Sequence, residues 1–395
     1  MITVGIVGAS GFVGSTLVET LVASGEHEVR PFIHRSGNAW RLARLGIELQ
    51  TIDLLSPQQL DTALQGCTHV VNCSRGPKEV MNKGLSHLLD ACRRVKVQRF
   101  VHLSSSAVYN GPYPQTPIDE SFTKFAEKNS YGGMKLAQDE MVNKAHRRGL
   151  STVVLCPPNI TGPYSAFVLN LVETMRRGRF AIVEDGTFPC MLLDVHNLVH
   201  AIVLSLTADE TDGGRIFVTD NDEVSWRGFA DRVVELSGTE DCLPSITLDE
   251  AQRYVVTKTK PRISVTKLLK HLVSSDVRDV LRKDPLIESV EKISKSMCSS
   301  LPNSFQRSLQ SMANGSSAHA NGVSVSSSTS FDSGLIGQQL RRVRYCGGRA
   351  EDLLGYRPIV NFNESFDAYC RWYSAHFGRN SQFWDLFLEL SNVSN

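Results

Sequence analysis

The chain has 395 residues, of which 41% are hydrophobic, and a formal net charge of +1 at pH 7. A charge this near zero gives no general attraction to nucleic acid or to a membrane surface, so we expect neither as a partner. Nine cysteines without a C-x-x-C pair predict reduced core thiols in a cytoplasmic protein. Residue 1 leads directly into an apolar run, and no run approaches ~18 apolar residues, so we expect neither a targeting peptide nor a membrane span.

Short apolar runs alternate with helical patterns along the first part of the chain. This alternation is typical of βαβ units and predicts an α/β fold, a Rossmann-type doubly wound parallel sheet with a smaller C-terminal substrate-binding cap. A cofactor is expected at the carboxyl ends of the strands, near the point where the strand order reverses. The predicted strands are 2–7, 28–33, 48–52, 68–73, 99–104 and 151–156.

A glycine-rich turn follows the first predicted strand and leads into an apolar helical pattern. Gly8 allows a tight turn, Gly11 lets the backbone approach a pyrophosphate, and Gly14 lets helix and strand pack closely. The amino end of the helix then faces the phosphate charge. The predicted cofactor-binding residues of this turn are Gly8, Ser10, Gly11, Phe12, Val13 and Gly14.

The end of the second predicted strand indicates which dinucleotide binds. An acidic residue there would bind the ribose hydroxyls of NAD, but the sequence has His34, Arg35 and Ser36. Arg35 can pair with a 2′-phosphate or stack on the adenine, so NADP is favoured over NAD. An exposed turn arginine is the alternative. Asp53, after the third strand, is a second candidate cofactor contact, and its alternative role is capping the helix after Ser56.

Tyr131 and Lys135 form the ends of a Y-G-G-M-K stretch. Residues four apart lie on the same face of a helix, where an ammonium beside a phenol lowers the phenol pKa towards the range of an acid/base catalyst. A serine cluster at 104–106 precedes them. Together with the glycine turn, these residues predict a hydride-transfer site.

The glycine turn at 8–14, L-S-S-S-A-V-Y at 103–109 and Y-G-G-M-K at 131–135 resemble the extended short-chain dehydrogenase/reductases. That family includes nucleotide-sugar epimerases, dehydratases and reductases, as well as sterol and flavonoid ketoreductases. The resemblance extends over residues 1–245 and 340–375. Its motifs are specific to the superfamily, but they do not indicate which substrate binds.

The resemblance implies roles for individual residues. The hydroxyl partner of the family lies four residues before the tyrosine of a V-Y pair, which selects Ser105. Ser105 is then expected to bind the reacting oxygen while Tyr131 passes the proton. Lys135 would hold the nicotinamide ribose and lower the Tyr131 pKa, and Pro158 would line the cofactor site. The dehydratases carry an Asp-Glu pair where this chain has Ser106 and Ala107, so dehydration is disfavoured.

The substrate is less well indicated. Asn159 matches a position that often faces substrate in nucleotide-sugar enzymes, and Ser106 is a further candidate. Arg344 belongs to a group of four arginines that could together bind two phosphates. The four are Arg341, Arg342, Arg344 and Arg349. These residues favour a nucleotide-sugar epimerase or keto-sugar reductase. The alternatives are a ketoreductase or hydroxyl dehydrogenase of sterol, flavonoid or specialised-metabolite type, and a non-catalytic dinucleotide sensor or scaffold.

The expected organisation is an NAD(P)-binding core at 1–160, core completion and cap at 161–375, and a tail at 376–395. A basic helical insertion is predicted at 246–298 and a disordered Ser/Gly-rich insertion at 313–334. His196 and His200 have the spacing of half a zinc site but lack a third ligand, so no metal is expected. The expected partners are a small-molecule substrate and, in a homodimer, a second copy of the chain.

Overall fold

The computed structural model describes residues 2–36, 39–209, 211–239, 243–259 and 330–377. The predicted insertion up to residue 329, most of the basic segment at 246–298, and the tail beyond 377 lie outside these residues. The end of the insertion was predicted to be disordered, but a helix begins at Ser333, so the prediction is wrong there. The described residues up to 255 and those at 331–377 form one compact unit. A second unit, 256–330, is described only at 256–259 and at 330.

A seven-stranded parallel sheet forms the centre of the first unit, with strand order β10-β6-β5-β4-β1-β2-β3. The predicted fold class and all six predicted strands are confirmed, and most strands are shorter than expected. Two small parallel pairs, β7 with β9 and β8 with β11, lie outside it. The strands are β1 (Thr3–Val7), β2 (Glu28–Ile33), β3 (Gln50–Thr51), β4 (His69–Asn72), β5 (Arg99–Leu103), β6 (Ser151–Cys156), β7 (Asn159–Thr161), β8 (Ile182–Val183), β9 (Leu192–Asp194), β10 (Arg215–Phe217) and β11 (Ser245–Ile246).

Helices follow most strands of the sheet, as the sequence pattern predicts. None of the described helices is long and apolar enough to cross a membrane. Their bounds are α1 (Phe12–Ser24), α2 (Pro57–Ala63), α3 (Leu85–Arg94), α4 (Tyr131–His146), α5 (Ala166–Arg176), α6 (Val195–Thr207), α7 (Trp226–Ser237), α8 (Leu248–Thr259), α9 (Ser333–Gln339), α10 (Gly348–Leu354) and α11 (Phe362–Phe377).

The sheet is buried on both faces, which explains why its strands are nearly continuous apolar runs. Successive side chains of a strand point to opposite faces. On β4, Val70 therefore packs in one core layer and Val71 in the other, and on β5 Phe100 and Val101 divide in the same way. All four of these side chains are fully buried.

The strand order reverses beside β1, because β2 lies on one side of it and β4 on the other. The register pairs Val7 with Asn72, Asn72 with His102, and Leu103 with Leu155. The carboxyl ends of β1, β4, β5 and β6 are thus level with one another. This edge is where a doubly wound fold holds its ligands.

A separate apolar cluster joins α5, α7 and α11. Phe229 and Phe366 are buried at its centre, and their rings meet edge to face at 6.2 Å. A smaller cluster brings Ala251 of α8 and Ile336 of α9 together on Val183. The chain therefore leaves the first unit after residue 255 and re-enters it at 331 in the same neighbourhood.

Candidate active site

The glycine turn between β1 and α1 forms a backbone cradle. Gly8 has a φ of +80°, and a side chain on it would contact the backbone of Ser74 at 2.9 Å. A Cβ on Gly14 would overlap the Gly8 carbonyl oxygen. The amides of Gly8 and Ala9 both donate to the carbonyl of Phe32 at 3.1 Å, which fixes the turn on β2.

The amino end of α1 is left free by this arrangement. Its N-cap residue is Gly11, which makes no side-chain capping bond. The amides of the first turn are therefore available to an anion, and the helix dipole favours one there. Because a larger residue at Gly8 or Gly14 would clash with the backbone that forms the turn, the glycines keep the turn tight, and the residues present fit the pyrophosphate of a dinucleotide.

Ser105 lies on a turn that is fixed to the end of β6. The Ser104 amide donates to the Leu155 carbonyl at 2.8 Å, and the Ser106 amide donates to the Pro157 carbonyl at 2.9 Å. The Ser105 hydroxyl accepts a bond from the Ala107 amide at 3.2 Å. Backbone bonds on both sides thus hold the Ser105 side chain at the edge of the sheet.

Tyr131 is the first residue of α4 and reaches Ser105 across a close contact between backbones. A Cβ on Gly132 would overlap the carbonyl oxygen of Ala107, and one on Gly133 would overlap that of Glu127. Gly132 thus lets the helix end approach the serine turn, and Gly133 lets it approach the preceding loop at 127–128. Ser105 and Tyr131 line the same cavity, and the Ser105 hydroxyl is close enough to the phenol to lower its pKa.

The environment of the Tyr131 phenol acts on its pKa in opposite directions. Burial of the phenol has the largest effect and raises its pKa above the usual value, so the predicted net lowering of the pKa is wrong; the guanidinium of Arg75 and the Ser105 hydroxyl oppose the rise. The sequence predicts Lys135 for this lowering effect, but the structure gives it to Arg75. The Arg75 guanidinium carbon lies 5.3 Å from the centre of the Tyr131 ring.

Lys135 is buried one helical turn below Tyr131, with 4% of its surface exposed. Its ammonium donates to the Leu103 carbonyl at 2.8 Å. Burial lowers the Lys135 pKa to about 8, and the nearby carboxylate of Asp139 opposes that change. Lys135 is therefore mostly protonated at neutral pH, but it is not among the residues that line the cavity.

Asp139 fixes the middle of α4 to the sheet. Its carboxylate accepts from the Ser104 hydroxyl at 2.9 Å and from Arg215 of β10 at 2.6 Å. Burial raises the pKa of Asp139, while the Arg215 guanidinium lowers it. The bond from Ser104 joins the helix that carries Tyr131 to the serine turn after β5, and the ion pair joins the same helix to β10.

These elements surround a cavity of about 550 Å³, which lies in the range of small-molecule sites. Six residues predicted for the site meet in its wall: Phe12, Ser105, Ser106, Tyr131, Pro158 and Asn159. Phe12 belongs to the glycine turn, so the turn and the serine–tyrosine pair border the same space. Much of the remaining lining is apolar, including Ile160, Phe167, Met191, Trp226 and Val343.

The predicted substrate arginines are divided by the structure. Arg341 lines the cavity, but its guanidinium is held by the protein and donates to the carbonyls of Ser106 at 3.2 Å and Tyr109 at 3.1 Å. Arg342 lines the cavity and stacks 4.6 Å over Phe188. Arg344 lies in the wall of a neighbouring cavity of about 470 Å³, which contains neither Ser105 nor Tyr131.

The remaining predicted contacts have ordinary local surroundings. Asn159 donates from its amide to the Gln338 side chain at 3.1 Å. The Asp53 carboxylate accepts from the Leu55 amide at 2.9 Å, which closes a turn after β3. Arg35 is exposed just beyond the end of β2. Ser10 and Val13 are half-buried in the glycine turn.

Arg75 is the residue that the sequence analysis missed. Its position could have indicated a role, because it directly follows a buried strand at the carboxyl edge of the sheet, in N-C-S-R-G-P at 72–77. His196, considered for a metal, instead lies 2.9 Å from the Asp194 carboxylate. Within the described ranges, no three side chains of His, Cys, Asp or Glu are grouped to hold a metal ion.

The arrangement is suited to acid/base work beside a dinucleotide. The glycine turn would hold the pyrophosphate, and Tyr131 and Lys135 would border the nicotinamide end. A nicotinamide dinucleotide, when bound, supplies or accepts a hydride. The protein's own contribution is a hydroxyl pair, Ser105 and Tyr131, that can bind one oxygen atom and move one proton.

Comparison with known proteins is consistent with this geometry. The model of the NAD dependent epimerase/dehydratase family matches residues 4–219. A 4-hydroxy-2-methyl-3-oxo-4-farnesyl-3,4-dihydroquinoline-1-oxide ketoreductase of Stigmatella aurantiaca is 27% identical over 262 residues, which are 62% of this chain and 77% of that protein. The human decarboxylating sterol-4-alpha-carboxylate 3-dehydrogenase is 29% identical over 55% of this chain, which spans 62% of that protein's length.

Solved structures of the same architecture cover nearly all of the chain. A UDP-glucuronic acid 4-epimerase of Bacillus cereus is 16% identical with a TM-score of 0.61, over 95% of this chain and 100% of that one. A dTDP-glucose 4,6-dehydratase of Bacillus anthracis is 13% identical with a TM-score of 0.63, over 95% and 98%. At these identities the likeness establishes the fold alone.

The family model spans more than half of the chain, and its span contains both the glycine turn and the serine–tyrosine pair. The chain therefore belongs to the NAD-dependent epimerase/dehydratase family, the extended short-chain dehydrogenase/reductases, and is an enzyme of their oxidoreductase and epimerase type.

Proposed function

We propose that this enzyme is a ketoreductase or hydroxyl dehydrogenase, which transfers a hydride between NADP and the carbon of a ketone or secondary alcohol. The observation that carries the proposal is the Ser105–Tyr131 pair in the wall of a cavity that has apolar and polar lining residues and also borders the glycine turn. The names of the two relatives by sequence, a ketoreductase and a sterol dehydrogenase, support the same reaction class.

Ser105, Tyr131 and Lys135 have different roles in the proposed reduction. Ser105 donates a hydrogen bond to the carbonyl oxygen and aligns it with the phenol. Tyr131 donates its proton to that oxygen as the carbon receives the hydride, and in the oxidation it accepts the proton. Lys135, protonated below a pKa of about 8, holds the Leu103 carbonyl one helical turn below Tyr131 and so supports the start of α4.

A nucleotide sugar, the substrate favoured by the sequence, is the second candidate. Arg342 supports it, because its exposed guanidinium lines the cavity and could bind a phosphate. The four-arginine clamp that led to this prediction is weakened. Arg341 is bonded to backbone carbonyls, and Arg344 borders another cavity. We therefore rank the ketone or alcohol first and epimerisation of a nucleotide sugar second.

The test is a substrate panel assayed for NADPH consumption. We expect ketones with an apolar skeleton, such as 3-oxosterols and 2-alkyl-3-oxo esters, to be reduced with loss of absorbance at the reduced nicotinamide band. UDP-, GDP- and dTDP-sugars are assayed in parallel for inversion without net cofactor consumption. Inversion of a sugar with no reduction of any ketone would reverse the ranking.

The preference for NADP depends on Arg35. Arg35→Asp should weaken NADP binding by roughly ten- to a hundredfold and leave NAD binding much less changed, because a charged hydrogen bond contributes about 1.5–3 kcal/mol. Dissociation constants from the fluorescence of the reduced cofactors would measure this. Arg148→Asp, an equal charge change at an exposed position after α4, is the control. Equal losses for both cofactors would contradict the assignment of Arg35.

A further inference from the structure

Arg75 lies in the cavity wall beside Tyr131, on the loop between β4 and α3. Its side chain is exposed to the cavity. In the part of the chain that the structure describes, no carboxylate forms an ion pair with it. A full positive charge therefore faces the ring of the candidate acid without a neutralising partner.

The loop that carries Arg75 is held on two sides. Asn72, buried at the end of β4, accepts from the Ser74 amide at 3.1 Å and from the Ser74 hydroxyl at 2.6 Å. The Asn72 amide also lies 3.2 Å from His102 of β5. On the other side, the Ser74 backbone lies against Gly8 so closely that a Cβ there would be 2.9 Å away. These contacts fix the backbone position of the loop next to Arg75.

Lys135, the cation that the sequence assigns to the phenol, is directed elsewhere. Its ammonium is hydrogen-bonded to the Leu103 carbonyl, and the Asp139 carboxylate lies on the next turn of the same helix. Burial raises the pKa of Tyr131 above its usual value, Arg75 and Ser105 oppose that rise, and Asp139 adds to it. The charge of Lys135 is therefore partly balanced by Asp139, whereas the charge of Arg75 is not.

The other charged groups that border the cavity have different contacts. Arg341 donates to the Ser106 and Tyr109 carbonyls, and Arg342 stacks on Phe188. Tyr345, which also lines the cavity, is a neutral phenol whose pKa is raised by burial. Among the described cations of this wall, Arg75 is the one that contacts the Tyr131 ring.

We propose that Arg75 is a positioning residue for proton transfer: its guanidinium, held over the Tyr131 ring, stabilises the negative charge that the tyrosine oxygen carries when it gives up its proton. This role deepens the proposed function, because the proton moves at the site assigned to hydride transfer. It involves the phenol itself, however, and so can be tested without any substrate.

The direction of the effect follows from the charge. A cation nearby favours the phenolate, so removing it raises the Tyr131 pKa. Oxidation of an alcohol needs the phenolate as base. Once Arg75 is lost, the oxidation rate should therefore begin to rise only at a higher pH. Reduction needs the protonated phenol and should keep its rate to higher pH.

The test is the titration of Tyr131 by NMR in the full chain labelled with ¹³C at the tyrosine ring carbon bearing oxygen. The Tyr131 signal is identified as the one missing in Tyr131→Phe. In Arg75→Gln we expect the ratio of ionised to neutral Tyr131 at high pH to fall about tenfold, a pKa increase of about one unit. Arg75→Lys should retain more than half of the effect.

Arg342→Gln is the matched control, because it removes a cavity arginine that stacks on Phe188 and not on Tyr131. Its Tyr131 titration should stay within about 0.2 units of the parent, since the charge is farther from the phenol and screened. An unchanged titration in Arg75→Gln would overturn the proposal. So would a change in Arg75→Lys as large as that in Arg75→Gln, because loss of packing would then explain both.

A second arm separates this role from substrate binding and from failure of the proposed function. With a ketone found in the substrate panel, Arg75→Gln should move the pH profile of kcat by about one unit. A rise in KM with an unmoved profile would mean that Arg75 binds an anionic substrate, which contradicts the proposal. If no compound is turned over, the NMR titration still decides the role of Arg75 by itself.

Discussion

Tyr131→Phe is expected to lower turnover by about 10²–10⁴-fold while the protein stays folded, because the change removes the proton donor and keeps the ring. The loss should appear in kcat with little change in cofactor affinity, measured by steady-state kinetics and by fluorescence titration of NADPH. Tyr131 lies beside Ser105 in the cavity wall, where its phenol is placed to give a proton to a bound carbonyl oxygen.

Tyr369→Phe is the control for that experiment. Tyr369 lies in the apolar cluster around α11, and its buried hydroxyl has no hydrogen-bond partner in the structure. Removing this hydroxyl should leave turnover within about twofold and stability unchanged or slightly higher, since no bond is lost. Activity of Tyr131→Phe within about threefold of the parent would show that Tyr131 is not the acid.

Gly132→Ala is expected to have the second largest effect. The added Cβ would overlap the Ala107 carbonyl oxygen and the Ala126 side chain, so the start of α4 must move away from the serine turn. Overpacking of this kind costs about 1–3 kcal/mol in the free energy of unfolding. Because a shift of about 1 Å in a catalytic group can cost roughly 10²-fold, turnover should fall by about that factor.

Gly337→Ala provides the matched comparison, since Gly337 also lies in a helix and a Cβ there meets nothing within 4 Å. The free energy of unfolding of this variant should be unchanged or up to about 1 kcal/mol higher, because alanine restricts the unfolded chain. Chemical denaturation and turnover would be measured for both variants. Parental turnover in Gly132→Ala would mean that the close approach of α4 is not needed for the reaction.

The sheet and the position of the site could be predicted because both depend on local patterns. Six strands are marked by apolar runs, and the glycines at 8–14 mark the turn whose cradle the structure shows. β10 was not predicted, because three residues at a sheet edge carry too little pattern to be distinguished from a loop. The structure also brings Ser105 and Tyr131 together, although their catalytic roles remain predictions until the variants are measured.

The contacts of the arginines could not be predicted because they join distant parts of the chain. Arg341 bonds to carbonyls more than 200 positions away in the sequence, and nothing in its own neighbourhood indicates this. Arg75 reaches Tyr131 only because β4 and β5 are neighbours in the sheet. The effect of Lys135 on the Tyr131 pKa was likewise predicted from helix spacing alone. The Leu103 carbonyl and the Asp139 carboxylate beside the Lys135 ammonium could not be foreseen from that spacing.

The most direct test of the central claim follows the hydride itself. The enzyme is incubated with a ketone from the panel and NADPH that carries deuterium at C4 of the nicotinamide on one face, and the product is analysed by mass spectrometry. We predict one deuterium on the new carbinol carbon from one of the two labelled faces and none from the other, and about 10²–10⁴-fold slower formation of the labelled product with Tyr131→Phe. Product without deuterium from either face, or equally fast formation of labelled product with Tyr131→Phe, would contradict hydride transfer at this site.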